Sequence, residues 1–289
     1  MTATESDGTS VRAAVQAATA RFEAAGVPSP RNDAELLVAH VLGGDRSLLI
    51  TAPALTAEHS RRLAELVARR ETREPLQHLL GVAWFRHVTL HVGKGVYVPR
   101  PETELVAGAV VDEARRLIGE GVDAPIVVDL CTGSGAIPAA VKDEVPAAHV
   151  HAVELSPEAY AYAERNLVHR QVDLRLGDCA DAFPDLDGMV DVVVSNPPYV
   201  PVGAIIRDDE VAEFDPAMAL WAGDDGLDVV RLVEATARRL LKPGGMVVVE
   251  HGDLQGETVP DVFGTSAWID VHDNRDLVGR NRYMIGRRA

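Results

Sequence analysis

The feature that most constrains the fold is an alternation of short apolar runs with helical stretches, which begins near Pro99. Four runs are rich in valine and other apolar residues and lack the in-and-out pattern of a half-buried strand: residues 126–130, 149–155, 190–195 and 246–250. Continuous runs of this kind are typical of parallel strands buried on both faces. The alternation predicts an α/β fold with a doubly wound, mostly parallel sheet.

Helical stretches at residues 157–168 and 227–241 lie between these runs. Near the end of the chain, residues 268–272 and 282–286 form two further apolar stretches joined by a polar turn. Their spacing predicts an antiparallel hairpin that closes one edge of the sheet.

The first 80 residues predict a small helical domain. Residues 10–25 are rich in alanine, and residues 34–42 end at two glycines, which stop helices. Thr56 is a suitable N-cap for a third helix with one apolar stripe, and Pro28, Pro30 and Pro53 fall between the segments. Residues 81–98 predict a linking β-hairpin with Gly93–Gly95 at its middle. We therefore predict domains at 1–80 and 99–289 with the hairpin between them.

Composition argues against several locations and classes of protein. No apolar run approaches the ~20 residues of a membrane span, and the first thirty residues lack the apolar stretch of a signal peptide. The two cysteines, Cys131 and Cys179, exclude a disulfide framework, and no paired Cys/His spacing suggests a metal site. We expect a cytoplasmic protein without a metal.

Charge is distributed unevenly along the chain. Residues 1–98 carry 11 basic and 10 acidic side chains, whereas residues 99–289 carry 17 basic and 34 acidic ones. Proteins that bind nucleic acid usually have a basic face, because much of their affinity comes from neutralising phosphates. The acidic C-terminal part therefore argues against a nucleic-acid substrate.

A glycine loop follows the first buried run. In the segment Asp129-Leu-Cys-Thr-Gly-Ser-Gly135, Gly133 and Gly135 allow a sharp turn and a close approach of backbone to ligand. A dinucleotide site would need a small residue where Pro138 stands, and no Gly-Lys-Ser/Thr follows for a phosphate loop. Glu154, at the end of the second run, can accept hydrogen bonds from two ribose hydroxyls at the same sheet edge.

The most specific segment in the chain is Asn196-Pro197-Pro198-Tyr199, which directly follows the third run. The two prolines fix the backbone and remove two donors, so the turn is rigid and rich in acceptors. The side-chain oxygen of Asn196 and the carbonyl of Pro197 can both accept from one planar NH₂ group, and Tyr199 can supply a ring face. Because an amide or aromatic amine is a poor nucleophile, such acceptors would aim its nitrogen at a methyl donor.

These segments resemble the class I S-adenosylmethionine-dependent methyltransferases, and most closely the protein-(glutamine-N5) methyltransferases that modify bacterial peptide-chain release factors. The resemblance extends over nearly the whole chain, and it implies a Rossmann-like sheet of seven strands. It rests on the glycine loop, the Asn-Pro-Pro-Tyr segment and five further stretches: residues 29–37, 74–78, 98–104, 214–220 and 243–250, followed by Gln255.

The resemblance implies roles for particular residues. S-adenosyl-L-methionine would be held by Cys131, Thr132, Gly133, Ser134, Gly135, Glu154, Asp178, Cys179 and Asn196. Asn196, Pro197, Pro198 and Tyr199 would hold the substrate glutamine, and Asn196, Pro197 and Tyr199 would act in catalysis. Cys131 stands where glycine is common, so we expect a backbone there without positive φ. Cys179 stands where some relatives carry an aromatic residue against adenine.

The activity that the resemblance implies is methylation of the glutamine in the Gly-Gly-Gln loop of class 1 release factors by a monomeric enzyme. Three alternatives remain at this point: methylation of adenine N6 in nucleic acid, methylation of a ribosomal-protein glutamine, and a non-catalytic binding module. We expect Arg100–Glu104 near the cleft between the domains, and we expect the acidic residues 208–210 to form a solvated loop.

Overall fold

The computed structural model describes residues 9–52 and 54–289, so Pro53 lies outside the described residues. The described helices, in chain order, are α1 (Val11–Ala24), α2 (Pro30–Leu42), α3 (Leu48–Thr51), α4 (Ala57–Glu71), α5 (Leu76–Leu80), α6 (Thr103–Gly119), α7 (Ala136–Glu144), α8 (Pro157–Leu167), α9 (Asp209–Phe214), α10 (Asp228–Leu240) and α11 (Thr258–Val262). The strands are β1 (Val82–Phe85), β2 (Val88–His91), β3 (Ile126–Leu130), β4 (His149–Glu154), β5 (Val172–Leu176), β6 (Val190–Ser195), β7 (Leu241–Glu250), β8 (Trp268–Arg275) and β9 (Asn281–Arg288).

These elements form two compact units. The smaller unit contains the described residues up to Gly81 together with the segment Ile206–Phe214. The larger unit contains Val82–Ile205 and Asp215–Ala289, and therefore includes the hairpin β1–β2.

Local capping explains where the helices of the smaller unit begin and end. The Thr56 side chain accepts a hydrogen bond from the backbone N–H of His59 at 3.1 Å, which confirms the predicted N-cap. Helix α2 begins four residues earlier than expected, at Pro30, because proline is well suited to the first helical turn. It ends at Gly43, whose φ of +83° is the left-handed conformation that glycine adopts at helix ends.

The expectation that residues 208–210 form a solvated loop is wrong for Glu210, which lies in α9. Its carboxylate accepts from Arg70 at 2.8 Å and from Arg73 at 3.2 Å. Arg70 is only 3% exposed, and its guanidinium also donates to Asp33 at 2.9 Å. A buried guanidinium requires acceptors for several N–H groups, and Glu210 supplies one of them.

The hairpin β1–β2 is present, but its turn is not where the glycines predicted it. Phe85 pairs with Val88, so the turn is at Arg86–His87, and Gly93–Gly95 follow β2. Arg86 has a φ of +49°. Its N–H donates to Glu104 at 2.9 Å and its guanidinium to Glu144 at 3.0 Å. These contacts with residues distant in sequence stabilise a turn that no local sequence pattern predicts.

The larger unit contains the expected seven-stranded sheet, with strand order β5-β4-β3-β6-β7-β9-β8. Strands β3 to β7 pair in parallel, β9 is antiparallel to β7, and β8 and β9 form the predicted closing hairpin. The sheet is covered by two apolar clusters, and strand β6 is buried throughout. The chain passes from β3 outward to β4 and later returns to β6 on the other side of β3. This reversal is where doubly wound sheets bind ligands.

Among the described residues, no helix is both long enough and apolar enough to cross a bilayer.

Candidate active site

The glycine loop and the Asn-Pro-Pro-Tyr corner leave the sheet at neighbouring positions. Leu130, the last residue of β3, pairs with Ser195, the last residue of β6. The Ser195 hydroxyl donates to the Leu130 carbonyl at 2.5 Å, which fixes the two strand ends together. The loop from residue 131 and the corner from residue 196 therefore start about one strand spacing apart, roughly 5 Å.

Both glycines of the glycine loop have positive φ. Gly133 has a φ of +58° and Gly135 a φ of +79°, and Gly135 precedes helix α7. A Cβ on Gly135 would lie 3.0 Å from the Leu167 side chain, whereas the space beside Gly133 is open to 4 Å. Thr132 and Ser134 are buried. The loop thus has room for a ligand at Gly133 and tight packing behind it.

The expectation that Cys131 avoids positive φ is wrong, since its φ is +65°. Downstream hydrogen bonds fix the turn: the N–H of Thr132 donates to the Val153 carbonyl at 3.0 Å, and the N–H of Gly135 donates to the Thr132 carbonyl at 2.9 Å. Such a conformation costs roughly 1–2 kcal/mol for a residue with a Cβ, which the surrounding structure offsets. A hydrogen bond between the Cys131 and Cys179 thiols, together with burial, raises the pKa of Cys131.

Glu154 ends β4 and faces the glycine loop. Its carboxylate accepts from the N–H of Gly133 at 2.7 Å and from the N–H of Ser156 at 2.8 Å, one on each oxygen. Burial raises the pKa of this group. A carboxylate has about four acceptor positions, so Glu154 can also accept from ligand hydroxyls.

Asp129 is a further acid at this edge, and it was not among the predicted site residues. It is 1% exposed, and one oxygen accepts from the Thr132 hydroxyl at 2.5 Å. The other oxygen has no hydrogen-bond partner among the described residues. Burial raises the pKa of Asp129 to about 8. Two buried acids beside an open glycine loop fit a positively charged nucleoside such as S-adenosylmethionine.

The segment after β5 is less clearly part of this cluster. Asp178 is exposed, and its carboxylate accepts from the N–H of Ala180 at 2.9 Å, so it caps a short 3-10 turn. Cys179 is 7% exposed, and its thiol reaches Cys131. The structure therefore brings Cys179 to the glycine loop, whereas the Asp178 carboxylate is engaged locally.

The Asn-Pro-Pro-Tyr corner is held by contacts from three distant segments. The Asn196 amide NH₂ donates to the Thr103 hydroxyl at 3.2 Å. The Tyr199 carbonyl accepts from the Gln255 amide at 3.1 Å, and a side chain at Gly226 would collide with that carbonyl. The N–H of Val200 donates to the Leu220 carbonyl at 2.8 Å. The corner is rigid because it is held on several sides as well as by its prolines.

Two residues beside the corner were not among the predicted site residues. Thr103 is 4% exposed at the start of α6, and Glu250 is 1% exposed at the end of β7. The Tyr199 hydroxyl donates to Glu250 at 3.5 Å. Thr103 belongs to the Arg100–Glu104 element that the sequence had marked, but its partner in the corner is 93 positions away. No local signal identifies Glu250.

Arg100 forms a second attachment of the same element. Its guanidinium donates to Asp215 at 2.8 Å and lies over the Tyr97 ring, 5.2 Å from the centroid. Asp215 lies in the 214–220 stretch that contributes Leu220 to the corner. The Arg100–Glu104 element therefore packs around the corner within the larger unit.

In the described part of the chain, no group of three or more His, Cys, Asp or Glu side chains is placed so that it could hold a metal ion.

Two protein-family models match the chain. The model described as the PrmC N-terminal domain matches residues 13–81, and the model described as the methyltransferase small domain matches residues 105–212. The second match includes β3 to β6, the glycine loop and the corner.

Characterised relatives resemble the chain along nearly its whole length. The release factor glutamine methyltransferase of Streptomyces coelicolor is 52% identical over 279 residues, covering 96% of this chain and 98% of that protein. A 4-amino-L-phenylalanine/4-methylamino-L-phenylalanine methyltransferase of Streptomyces pristinaespiralis is 41% identical and covers 88% of each chain.

Among solved structures, the 16S rRNA N2 G1207 methyltransferase of Thermus thermophilus, in complex with AdoMet and guanosine, aligns with a TM-score of 0.51 at 19% identity. The alignment covers 72% of this chain and 50% of that one, and it supports the class I methyltransferase fold of the larger unit. The sequence identity to the Streptomyces coelicolor enzyme, over almost the full length of both chains, is decisive for the family. This chain belongs to the release factor glutamine methyltransferases.

Proposed function

We propose that this enzyme transfers a methyl group from S-adenosyl-L-methionine to the side-chain amide nitrogen of a glutamine in class 1 peptide-chain release factors. Within the release factor, the target we propose is the glutamine of the Gly-Gly-Gln motif. Support comes from the family membership of the chain and from the arrangement of its acceptor groups.

The observation that carries the proposal is the pairing of Leu130 with Ser195. It places the start of the glycine loop next to the start of the Asn-Pro-Pro-Tyr corner. A methyl donor held by the loop and an amide held by the corner would lie side by side, as a direct transfer requires.

We assign the cofactor to the residues that the sequence indicated. Gly133 offers open space, and the Glu154 carboxylate would accept from the ribose hydroxyls with its remaining acceptor positions. Asp129 has one oxygen without a hydrogen-bond partner among the described residues, and it would face the positively charged ligand, whose charge would favour the ionised form of this carboxyl group. Cys131, Thr132, Ser134 and Gly135 complete the loop, and Cys179 and Asp178 would border the base.

The bound cofactor supplies an electrophilic methyl group on a sulfonium. The protein's part is to make an amide nitrogen attack it. Acceptors at Asn196 Oδ1 and the Pro197 carbonyl would hold both N–H bonds and favour a pyramidal nitrogen, with the Tyr199 ring beneath. The amide nitrogen would gain the methyl group while the electron pair of the broken S–C bond stays with the sulfur of the donor, and one amide proton would then pass to solvent.

The helical unit would grip the folded release factor, since a single glutamine offers little contact area. We place the reaction in the cytoplasm, where release factors act, and we propose a monomer that does not bind nucleic acid. The acidic balance of residues 99–289 supports the last point.

The test incubates the enzyme with methyl-labelled cofactor and one acceptor at a time: a class 1 release factor, ribosomal proteins, duplex DNA or 4-amino-L-phenylalanine. Peptide mass mapping then locates the methylated atom. We expect label on the glutamine side chain of the release factor alone.

A release factor with Glu in place of the target Gln is the matched control. It should accept no label, because a site built for an NH₂ group rejects an analogue without one by several orders of magnitude, roughly 10⁴-fold. Labelling of DNA, or of 4-amino-L-phenylalanine in preference to the release factor, would refute the proposal.

A further inference from the structure

A chain of polar contacts runs from the corner into the interior of the larger unit. Asn196 donates from its NH₂ group to the Thr103 hydroxyl at 3.2 Å. Thr103 interacts with the Glu250 carboxylate and lowers its pKa. The Tyr199 hydroxyl donates to Oε1 of that carboxylate at 3.5 Å, and Oε2 has no other hydrogen-bond partner in the described chain. Thr103 and Glu250 are 4% and 1% exposed, so Glu250 cannot touch a protein substrate.

The direction of these hydrogen bonds follows from the hydrogen count. A threonine hydroxyl has one hydrogen to donate, and an ionised carboxylate can only accept. If that hydrogen points to Glu250, the hydroxyl can only accept from Asn196, so the NH₂ end of the amide must face Thr103. The amide oxygen then points away from Thr103.

The orientation matters because the two ends of an asparagine amide have nearly the same shape. Without a fixed partner, the amide could turn by 180° and present NH₂ to the substrate. A substrate NH₂ group facing another NH₂ group would have no acceptor, so it would not be held for attack.

We propose that Glu250 is a positioning residue that acts through Thr103 to keep the oxygen of the Asn196 amide facing the reacting nitrogen. This inference rests on the proposed function, because it takes the substrate group to be a hydrogen-bond donor. Neither Thr103 nor Glu250 contacts the reacting atoms in this scheme.

The groups around Glu250 make its positioning of the Asn196 amide depend on pH. Tyr199 faces it from the corner, Thr103 and Glu102 from the start of α6, and Arg282 from β9. Burial, opposed in part by Thr103 and Arg282, raises the pKa of Glu250 to about 7. A protonated Glu250 can donate to Thr103 and release the amide, so turnover should rise as pH increases through neutrality.

The experiment compares Thr103→Val, Thr103→Ser and Glu250→Gln with the wild-type full-length enzyme. It measures kcat with the release factor, the Kd of S-adenosylmethionine by calorimetry, and kcat from pH 5.5 to 9. Thr103→Val and Glu250→Gln should each lower kcat about 10- to 100-fold, with the cofactor Kd within about threefold. Both should lose the rise of kcat through neutral pH, whereas Thr103→Ser should keep that rise and most of the turnover.

Glu113→Gln is the matched control, because Glu113 is also a buried acid, paired with Arg116 and Arg287. It should lower stability without changing the pH profile of kcat. The inference is overturned if Thr103→Val keeps wild-type turnover, or if Glu250→Gln retains the same rise with pH. A wild-type enzyme that methylates no release factor would instead overturn the proposed function, so the two failures are separable.

Discussion

In the proposed mechanism, Asn196 is the residue on which the transfer most directly depends, since its side-chain oxygen is an acceptor that a substitution can remove. Its neighbours in the corner would act through the backbone or through a ring face. At the residue scale, the proposed site therefore separates into groups that would hold the substrate amide and groups that would hold the cofactor.

We expect Asn196→Ala to lower turnover by about 10²- to 10³-fold, because the substrate amide loses a preorganised acceptor. The cofactor Kd, measured by calorimetry, should change much less than turnover. A variant that turns over at the wild-type rate would show that the acceptor pair is not the mechanism.

Asn166→Ala provides the converse comparison. Asn166 donates to the carbonyl of Ser134 at 2.9 Å and to that of His91 at 3.0 Å, so it supports the glycine loop. This variant should weaken cofactor binding, while kcat at saturating cofactor stays close to the wild-type value.

Gly133→Val should abolish cofactor binding, because a β-branched residue at a φ of +58° strains the loop and fills the open space beside it. Gly188→Val is the matched control, since Gly188 has a φ of +69° and nothing within 4 Å of its Cβ position. Both variants should lose stability, and calorimetry should find a changed cofactor Kd only for Gly133→Val. Retained affinity in Gly133→Val would refute the placement of the loop.

At the scale of elements, the smaller unit depends on a buried ion pair between segments distant in sequence. Arg70 on α4 is bound by Asp33 on α2 and by Glu210 on α9, 140 positions away. These contacts explain why the segment Ile206–Phe214 belongs with the helical unit.

Arg70→Ala should lower the free energy of unfolding by about 3–5 kcal/mol, because it leaves two carboxylates without their buried cation. Arg61→Ala, on the exposed side of the same helix, removes a surface pair with Glu58 and should cost less than about 1 kcal/mol. Urea denaturation followed by circular dichroism measures both. Equal losses of unfolding free energy in the two variants would mean that burial does not determine how much an ion pair contributes to stability.

At the scale of the whole molecule, the buried acids make stability depend on pH. Asp129 has a folded-state pKa of about 8, against about 3.9 for an unfolded aspartate. Between these values the folded state holds a proton that the unfolded state has lost. The free energy of unfolding therefore falls as pH rises through this range, by up to roughly 1.4 kcal/mol per pH unit from this one group.

Asp129→Asn should remove that contribution. The difference in unfolding free energy between the variant and the wild type, from urea denaturation without cofactor, should grow in the variant's favour from pH 5 to pH 7. Parallel pH dependences in the two proteins would show that Asp129 is ionised in the folded state throughout.

The sequence alone determined most of the elements and indicated the segments that we propose for the site. Apolar runs predicted the buried strands, and the glycine loop and the Asn-Pro-Pro-Tyr segment stood out before any coordinates. These features are local, because side-chain periodicity and the φ preferences of glycine and proline act within a few residues. Local preference also accounts for the capping of α4 by Thr56.

Only the tertiary structure decided how these pieces meet. It moved the hairpin turn to Arg86–His87, placed Cys131 in a left-handed conformation, and joined Asn196 to Thr103 and Glu250. Each of these outcomes depends on contacts between residues distant in sequence. Strand order and packing determine which distant residues come into contact. The sequence between those residues does not indicate which contact forms.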